Sequence, residues 1–167
     1  MKRQTRTRAA IATAAALVAA GTVTVGVSAA GPESKNTKPT KAQIAALFDG
    51  WNAALATGDA ETVADRYASD AVLLPTVSPE IRTDRAGIVD YFEHFLANKP
   101  QGKKIRTVVN VLDSNSAIDA GLYEFTLTDP ETGEKREVEA RYTYEYEKRG
   151  GKWLIVNHHS SVLPAAG

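Results

Sequence analysis

Near residue 103 the apolar side chains of this 167-residue chain stop recurring every three to four positions and begin to alternate. Before the switch, Ile44, Leu47, Phe48, Trp51 and Leu55 mark one face of a helix, and Ile88, Tyr91, Phe92, Phe95 and Leu96 mark another. After it come strand patterns at about 103–113, 116–128 and 135–148, then a last one inside "WLIVNHHSSVLP", residues 153–164. A helical period cannot sit in a sheet, nor an alternating one in a helix. Helices first and a strand meander afterwards predict an α+β domain, with three helices packed on one face of a strongly curved antiparallel β-sheet.

Local signals agree. Thr40 with Gln43 three residues on fits a capping box. Gly58-Asp59 ends the first helix and caps a shorter one, with Val63 and Tyr67 on its inner side. "DAVLLPT" reads as a short buried strand closed by Pro75, and the third helix begins near Asp84. "DPETGE" and "KRGGK" turn the chain between the last three strands.

The first thirty residues have a different character. Lys2, Arg3, Arg6 and Arg8 precede an Ala/Val-rich run from Ala9 to Val27 and the small residues Ser28-Ala29-Ala30-Gly31. Basic, apolar and small segments in that order predict a secretory signal peptide at 1–30, cut after Ala29 or Ala30, and hence an exported protein. The competing reading is a retained anchor, because the apolar run approaches the ~20 residues that span a bilayer. Residues 31–39 read as a flexible spacer and 40–164 as the single domain.

Beyond the leader, 16 Lys+Arg face 20 Asp+Glu, since four of the 20 basic residues precede Gly31. A mildly acidic domain without a basic patch is a poor partner for nucleic acid or anionic lipid. The chain has no cysteine, which removes disulfides and thiol chemistry. No G-x-G-x-x-G fingerprint and no nucleophile-elbow context for Ser160 or Ser161 is present, so no cofactor and no hydrolase triad are expected. Metal binding is not expected either: His158 and His159 point to opposite sheet faces and His94 is the only other histidine.

The last hairpin carries the densest polar chemistry. With an even-numbered loop, opposed residue numbers sum to an odd value. Arg141 then shares a face with His158 and Ser160, and Tyr142, Tyr144, Tyr146, Trp153, Ile155, Asn157 and His159 share the other. An odd-numbered loop with a bulge would exchange these partners. A guanidinium, an imidazole and a hydroxyl side by side suit a polar or carboxylate-bearing small molecule. The plainer alternatives are an Arg141 paired with Glu139 or Glu145 on a solvated face, and histidines satisfied within the core.

The helix, helix, strand, helix, meander order, with "ATGDAETVADRYASDAVLLP" after the first helix, resembles the NTF2-like superfamily of cone-shaped domains. "ARYTYEYEKRGGKWLIVNHHSSVLP" is similar to the association (hub) domain of calcium/calmodulin-dependent protein kinase II and its stand-alone secreted bacterial relatives, over about residues 40–164. The resemblance implies a small-molecule hollow between helices and sheet, with Arg141 matching one of the arginines that line it. Ser160 stands where the hub has an arginine, and "GLYEFTL" offers Tyr123 or Glu124 in place of another, so a less cationic hollow is implied. No kinase domain or nucleotide loop accompanies the motif, and kinase activity is not expected.

Three expectations follow. A hollow with walls from Trp51, Phe92 and Tyr123 binds a small ligand through Arg141, His158 and Ser160. Alternatively the same hollow is an acid-base enzyme of the isomerase, cyclase or dehydratase type, with His158 as base, Tyr123 or Ser160 as its partner, Arg141 stabilising an enolate-like charge, and Asp119 as a second candidate. Finally, Tyr142, Tyr144, Tyr146 and Trp153 form an aromatic surface opposite Arg141 on which two copies associate as a homodimer.

Overall fold

A computed structural model describes residues 37–76 and 78–164. The proposed signal peptide, its cleavage site and most of the spacer lie outside the described residues. Three helices and five strands follow one another: α1 (Lys41–Ala56), α2 (Ala60–Ala64), β1 (Tyr67–Leu74), α3 (Arg85–Leu96), β2 (Gln101–Val111), β3 (Ser116–Thr128), β4 (Lys135–Arg149) and β5 (Lys152–Val162). The sheet is open, in the order β1-β5-β4-β3-β2. β2 to β5 form the expected antiparallel meander, but β1 runs parallel to β5. An antiparallel sheet throughout was expected; β1 instead reaches the far edge by way of the helices and lies beside the last strand.

The caps form as the residue types dictate. Gln43 N–H donates to Thr40 Oγ1 at 3.2 Å, and Thr40 N–H donates to Gln43 Oε1 at 2.8 Å, closing the box at the start of α1. Asp59 and Asp84 cap α2 and α3 by accepting from the Glu61 and Gly87 N–H groups. Tyr67 is not on α2: it opens β1.

Ile44, Phe48, Trp51 and Leu55 of α1 and Ile88 and Phe92 of α3 are buried against the sheet. The sheet answers with Tyr123, Phe125, Tyr142, Tyr144, Tyr146 and Ile155. Rings meet edge-on or tilted in this layer, as with Trp51 and Tyr144 at 5.6 Å and Phe48 and Tyr123 at 6.3 Å, and also stack, as with Tyr144 and Tyr146 at 5.7 Å. Asn52 pins α1 to the start of β2 by donating to Gly102 O at 2.9 Å and accepting from Gly102 N–H at 3.0 Å.

The β4–β5 register decides where every polar candidate points. Gly150 and Gly151, both at positive φ, make the tight even loop that was expected, and Arg149 opposes Lys152. Tyr146 opposes Ile155, but Glu145 opposes Asn157, so Val156 is an extra residue in β5. Beyond this bulge the parity reverses. Tyr144 opposes His158, Tyr142 opposes Ser160, and Arg141 opposes Ser161.

Two expectations are thereby corrected. Arg141 is exposed on the outer face and does not share a surface with His158 and Ser160. Tyr142, Tyr144 and Tyr146 are 3, 0 and 2 % exposed beneath the helices, so they are core and offer no surface to a second copy. Trp153 is half-buried near the hairpin end and packs against the same core.

Candidate ligand-binding site

Between α1, α3, the end of β1 and the helix-covered face of the sheet lies a cavity of about 90 Å³. Its wall is mainly apolar and aromatic, including Trp51, Phe92, Phe95 and Phe125. His158, Ser160, Tyr123 and Thr76 supply polar atoms, and Asn98 and Arg136 also line it. An apolar hollow with a few polar groups is the usual form of a small-molecule site.

Five of the six residues expected to form a ligand site therefore meet at one cavity: Trp51, Phe92, Tyr123, His158 and Ser160. Arg141 does not. The arginine that does reach it is Arg136, exposed and opposite Leu127. Its signal was in the sequence: positions 136, 142, 144 and 146 share parity on β4, so Arg136 lies on the face of the tyrosines. Thr76 and Tyr67 were missed for another reason. One is on a connection and the other was assigned to a helix, and only tertiary packing brings them to β5.

His158 sits at the centre of a buried chain of bonds. Trp51 Nε1–H donates to Tyr67 Oη at 3.0 Å, and Tyr67 Oη lies 2.8 Å from His158 Nδ1. The imidazole stacks on Tyr144 with centroids 4.1 Å apart and meets the Trp51 ring edge-on at 5.5 Å. Burial, with a smaller contribution from His159, lowers its pKa to about 3, so the ring is neutral at physiological pH. Its Nε2 is buried and has no hydrogen-bond partner. On the facing side Tyr123 Oη–H donates to Ser160 Oγ, which is also bonded to Thr76 Oγ1. Burial raises the Tyr123 pKa well above the usual phenol value.

Asp119, the second acid-base candidate, does not line this cavity. It is fully buried beneath α1, not in water at a strand start as one reading of the sequence allowed. Its Oδ1 accepts from Tyr142 Oη–H at 3.2 Å, and Tyr142 in turn contacts Thr107 Oγ1 at 3.1 Å. Oδ2 has no partner, nor do the hydroxyls of Tyr144 and Tyr146. Desolvation raises the Asp119 pKa to about 6. Among the described residues no group of three or more His, Cys, Asp or Glu side chains could hold a metal ion.

Comparison with known proteins gives the lineage. No curated protein matches the chain significantly. A crystal structure from Xanthomonas campestris, assigned to the calcium/calmodulin dependent protein kinase II association domain, is 60 % identical, covers 74 % of this chain and 88 % of that one, and superposes with a TM-score of 0.73. The association domain of the Caenorhabditis elegans kinase shares 15 % identity over 73 % of this chain and 95 % of that one, at a TM-score of 0.58. An NTF2-like protein from Streptomyces avermitilis described as a dehydratase shares 15 % over 74 % and 96 %, at 0.66. The last two likenesses concern the fold alone. Residues 40–164 match the family model described as calcium/calmodulin dependent protein kinase II association domain, and the chain belongs to that family, with the α+β fold of the NTF2-like superfamily.

Proposed function

We propose that the domain is a small-molecule-binding module whose ligand enters the cavity between α1, α3 and the sheet and accepts a hydrogen bond from His158. The observation that carries this is the unpartnered, buried Nε2 of a histidine that lines a mainly apolar cavity. A buried polar atom without a partner costs about 1–3 kcal/mol, and a ligand acceptor removes that cost. Arg136 replaces Arg141 as the cationic group able to hold a carboxylate, at the cavity's exposed edge.

Binding is favoured over acid-base catalysis. A general base works best with a pKa near the operating pH, whereas His158 has been pushed to about 3. No aspartate or glutamate among the described residues lines the cavity; Asp119 is buried elsewhere, bonded to Tyr142. The test is a fragment screen by ligand-observed NMR on the unmodified protein and on Ala140→Leu, which narrows the cavity. Hits should lose at least about tenfold in affinity in the variant while its fold persists. Hits indifferent to the substitution would place binding elsewhere, and turnover of a hit abolished by His158→Gln would favour the enzyme.

A second copy belongs to this reading, on a different surface from the aromatic one. Val108 is 47 % exposed on the outer face of β2, beside Ala120 and Leu122 of β3. Arg106, Arg141, Glu124 and Glu139 surround that strip with both signs of charge, a pattern that can pair with a rotated copy of itself. Export after removal of residues 1–30 completes the proposal, resting on the basic, apolar and small segments of the leader. Intact-mass measurement on protein from the culture medium checks it; full-length chain confined to membranes would refute it.

A further inference from the structure

Tyr91, Phe95 and Asn98 line two spaces at once, the cavity and a groove of about 360 Å³ on the molecular surface. Ser78 and Arg82, from the connection after β1, and Asp90 and His94 of α3 complete the groove. Tyr91 and Phe95 are four residues apart, so their rings stand side by side on one stripe of the helix, nearly parallel and with centroids 5.8 Å apart. Both are half-buried, beside the buried stripe of Ile88, Phe92 and Leu96 that holds α3 in place. The stacked pair is thus a shared wall of cavity and groove.

The two rings are not held alike. Phe95 meets Phe92 and Phe125 edge-on at 6.3 and 5.7 Å, and both of those are buried. Tyr91 touches only the rings of Phe92 and Phe95, and among the described residues its hydroxyl makes no hydrogen bond. Tyr123, the other tyrosine of the cavity wall, is tied to Ser160. Burial lifts the Tyr91 phenol to about 12 against the pull of the Arg82 charge, so the ring turns as a neutral group. Rotation about its Cα–Cβ bond opens the shared wall without moving the helix.

The cavity is short of room. At about 30 Å³ for each water-sized group, its 90 Å³ takes about three. Resting on the binding role above, we propose that cavity and groove are the inner and outer halves of one elongated site, joined when Tyr91 swings away from Phe95, which takes a neutral molecule longer than the cavity, with a slim inner end and a hydrogen-bonding outer end. Slimness follows from the volume. Neutrality follows from the groove: Arg82 is already compensated by Asp90 at 2.9 Å and Glu80 at 3.0 Å, and Ser78 and Asn98 offer uncharged donors and acceptors. Tyr91 is then the residue that decides what length of ligand the site admits.

The experiment exploits a chain without cysteine. Ala140 lines the cavity and is 2 % exposed, so Ala140→Cys in the full-length protein places a single thiol there. Methyl methanethiosulfonate converts that thiol to a mixed disulfide, and mass spectrometry of the product reads the rate of passage into the cavity. Tyr91→Ala should speed the reaction at least about tenfold and Tyr91→Trp should slow it, whereas Arg136→Ala, at the other edge, should change it less than about twofold. Acceleration in both Tyr91 variants would mean a loosened fold, and acceleration in Arg136→Ala alone would put the entrance at the start of β4; either overturns the gate. n-Propyl glucoside should protect the thiol at concentrations at least about tenfold below those needed of n-propanol or of glucose. Equal protection by n-propyl glucoside and n-propanol, or protection by none of the three, overturns the elongated ligand. Should Ala140→Cys fail to fold, Ser160→Cys, which exchanges oxygen for sulfur in the same wall, carries the same measurements. Fragment hits weakened by Ala140→Leu keep the binding role standing through each of these failures, and their absence overturns that role separately.

Discussion

Two buried titratable side chains pull the pH dependence of stability in opposite directions. His158 has its pKa lowered from 6.5 to about 3, so the stability gained from keeping it neutral is fully present above 6.5 and is lost as pH falls toward 3. Asp119 has its pKa raised from 3.8 to about 6, so its contribution is fully present below 3.8 and is lost as pH rises through 6. Between about pH 4 and pH 6 the two nearly cancel. Denaturant unfolding should show it. Asp119→Asn should unmask a rise in stability with pH across this window, and His158→Gln a fall, each amounting to about 2–3 kcal/mol. Parallel profiles for the two variants would mean that other groups set the acid response. Asp119 was legible only as a polar residue near a strand start; burial, which no local pattern reveals, gives it this behaviour.

At the level of strands, one glycine and one extra residue position the site. A Cβ on Gly121 would lie 1.8 Å from Arg106 O, where β2 bulges across β3, and 3.1 Å from the Tyr142 hydroxyl. Neither backbone can give way without breaking the ladder. Gly121→Ala should therefore cost about 3 kcal/mol in denaturant unfolding, despite the better strand propensity of alanine. A loss below about 0.5 kcal/mol would show that β2 has room to move. Val156 acts by its mere presence. Its bulge turns His158 and Ser160 inward and Arg141 outward, whereas uninterrupted pairing from the Gly150-Gly151 loop would do the reverse. Loop length was readable from "KRGGK"; a bulge midway along a strand has no comparable signature, because the extra residue is an ordinary valine.

At the scale of the molecule, the described residues put one sheet face under the helices and leave the other uncovered. On that outer face Val108 is the exposed centre of the strip we propose for a second copy. Light scattering on the protein should give twice the monomer mass, and Val108→Lys should raise the dissociation constant at least about tenfold without lowering monomer stability. Unchanged association in that variant would assign the interface to another surface.

The sequence alone determined the class of fold. Helical and alternating periods depend only on which side chains can share a face, and caps and turns depend on residues within a few positions, so the order of elements, the Thr40 box, the Asp84 cap and the tight last hairpin were all readable. It also brought forward Trp51, Phe92, Tyr123, His158 and Ser160 as one group. Tertiary structure decided which arginine joins them, Arg136 in place of Arg141, and that the tyrosines of β4 are core. It brought Tyr67 and Thr76 to β5 from 91 and 84 residues away. Periodicity fixes faces only while pairing is unbroken; one inserted residue reverses them, and only the packed sheet shows where that residue lies.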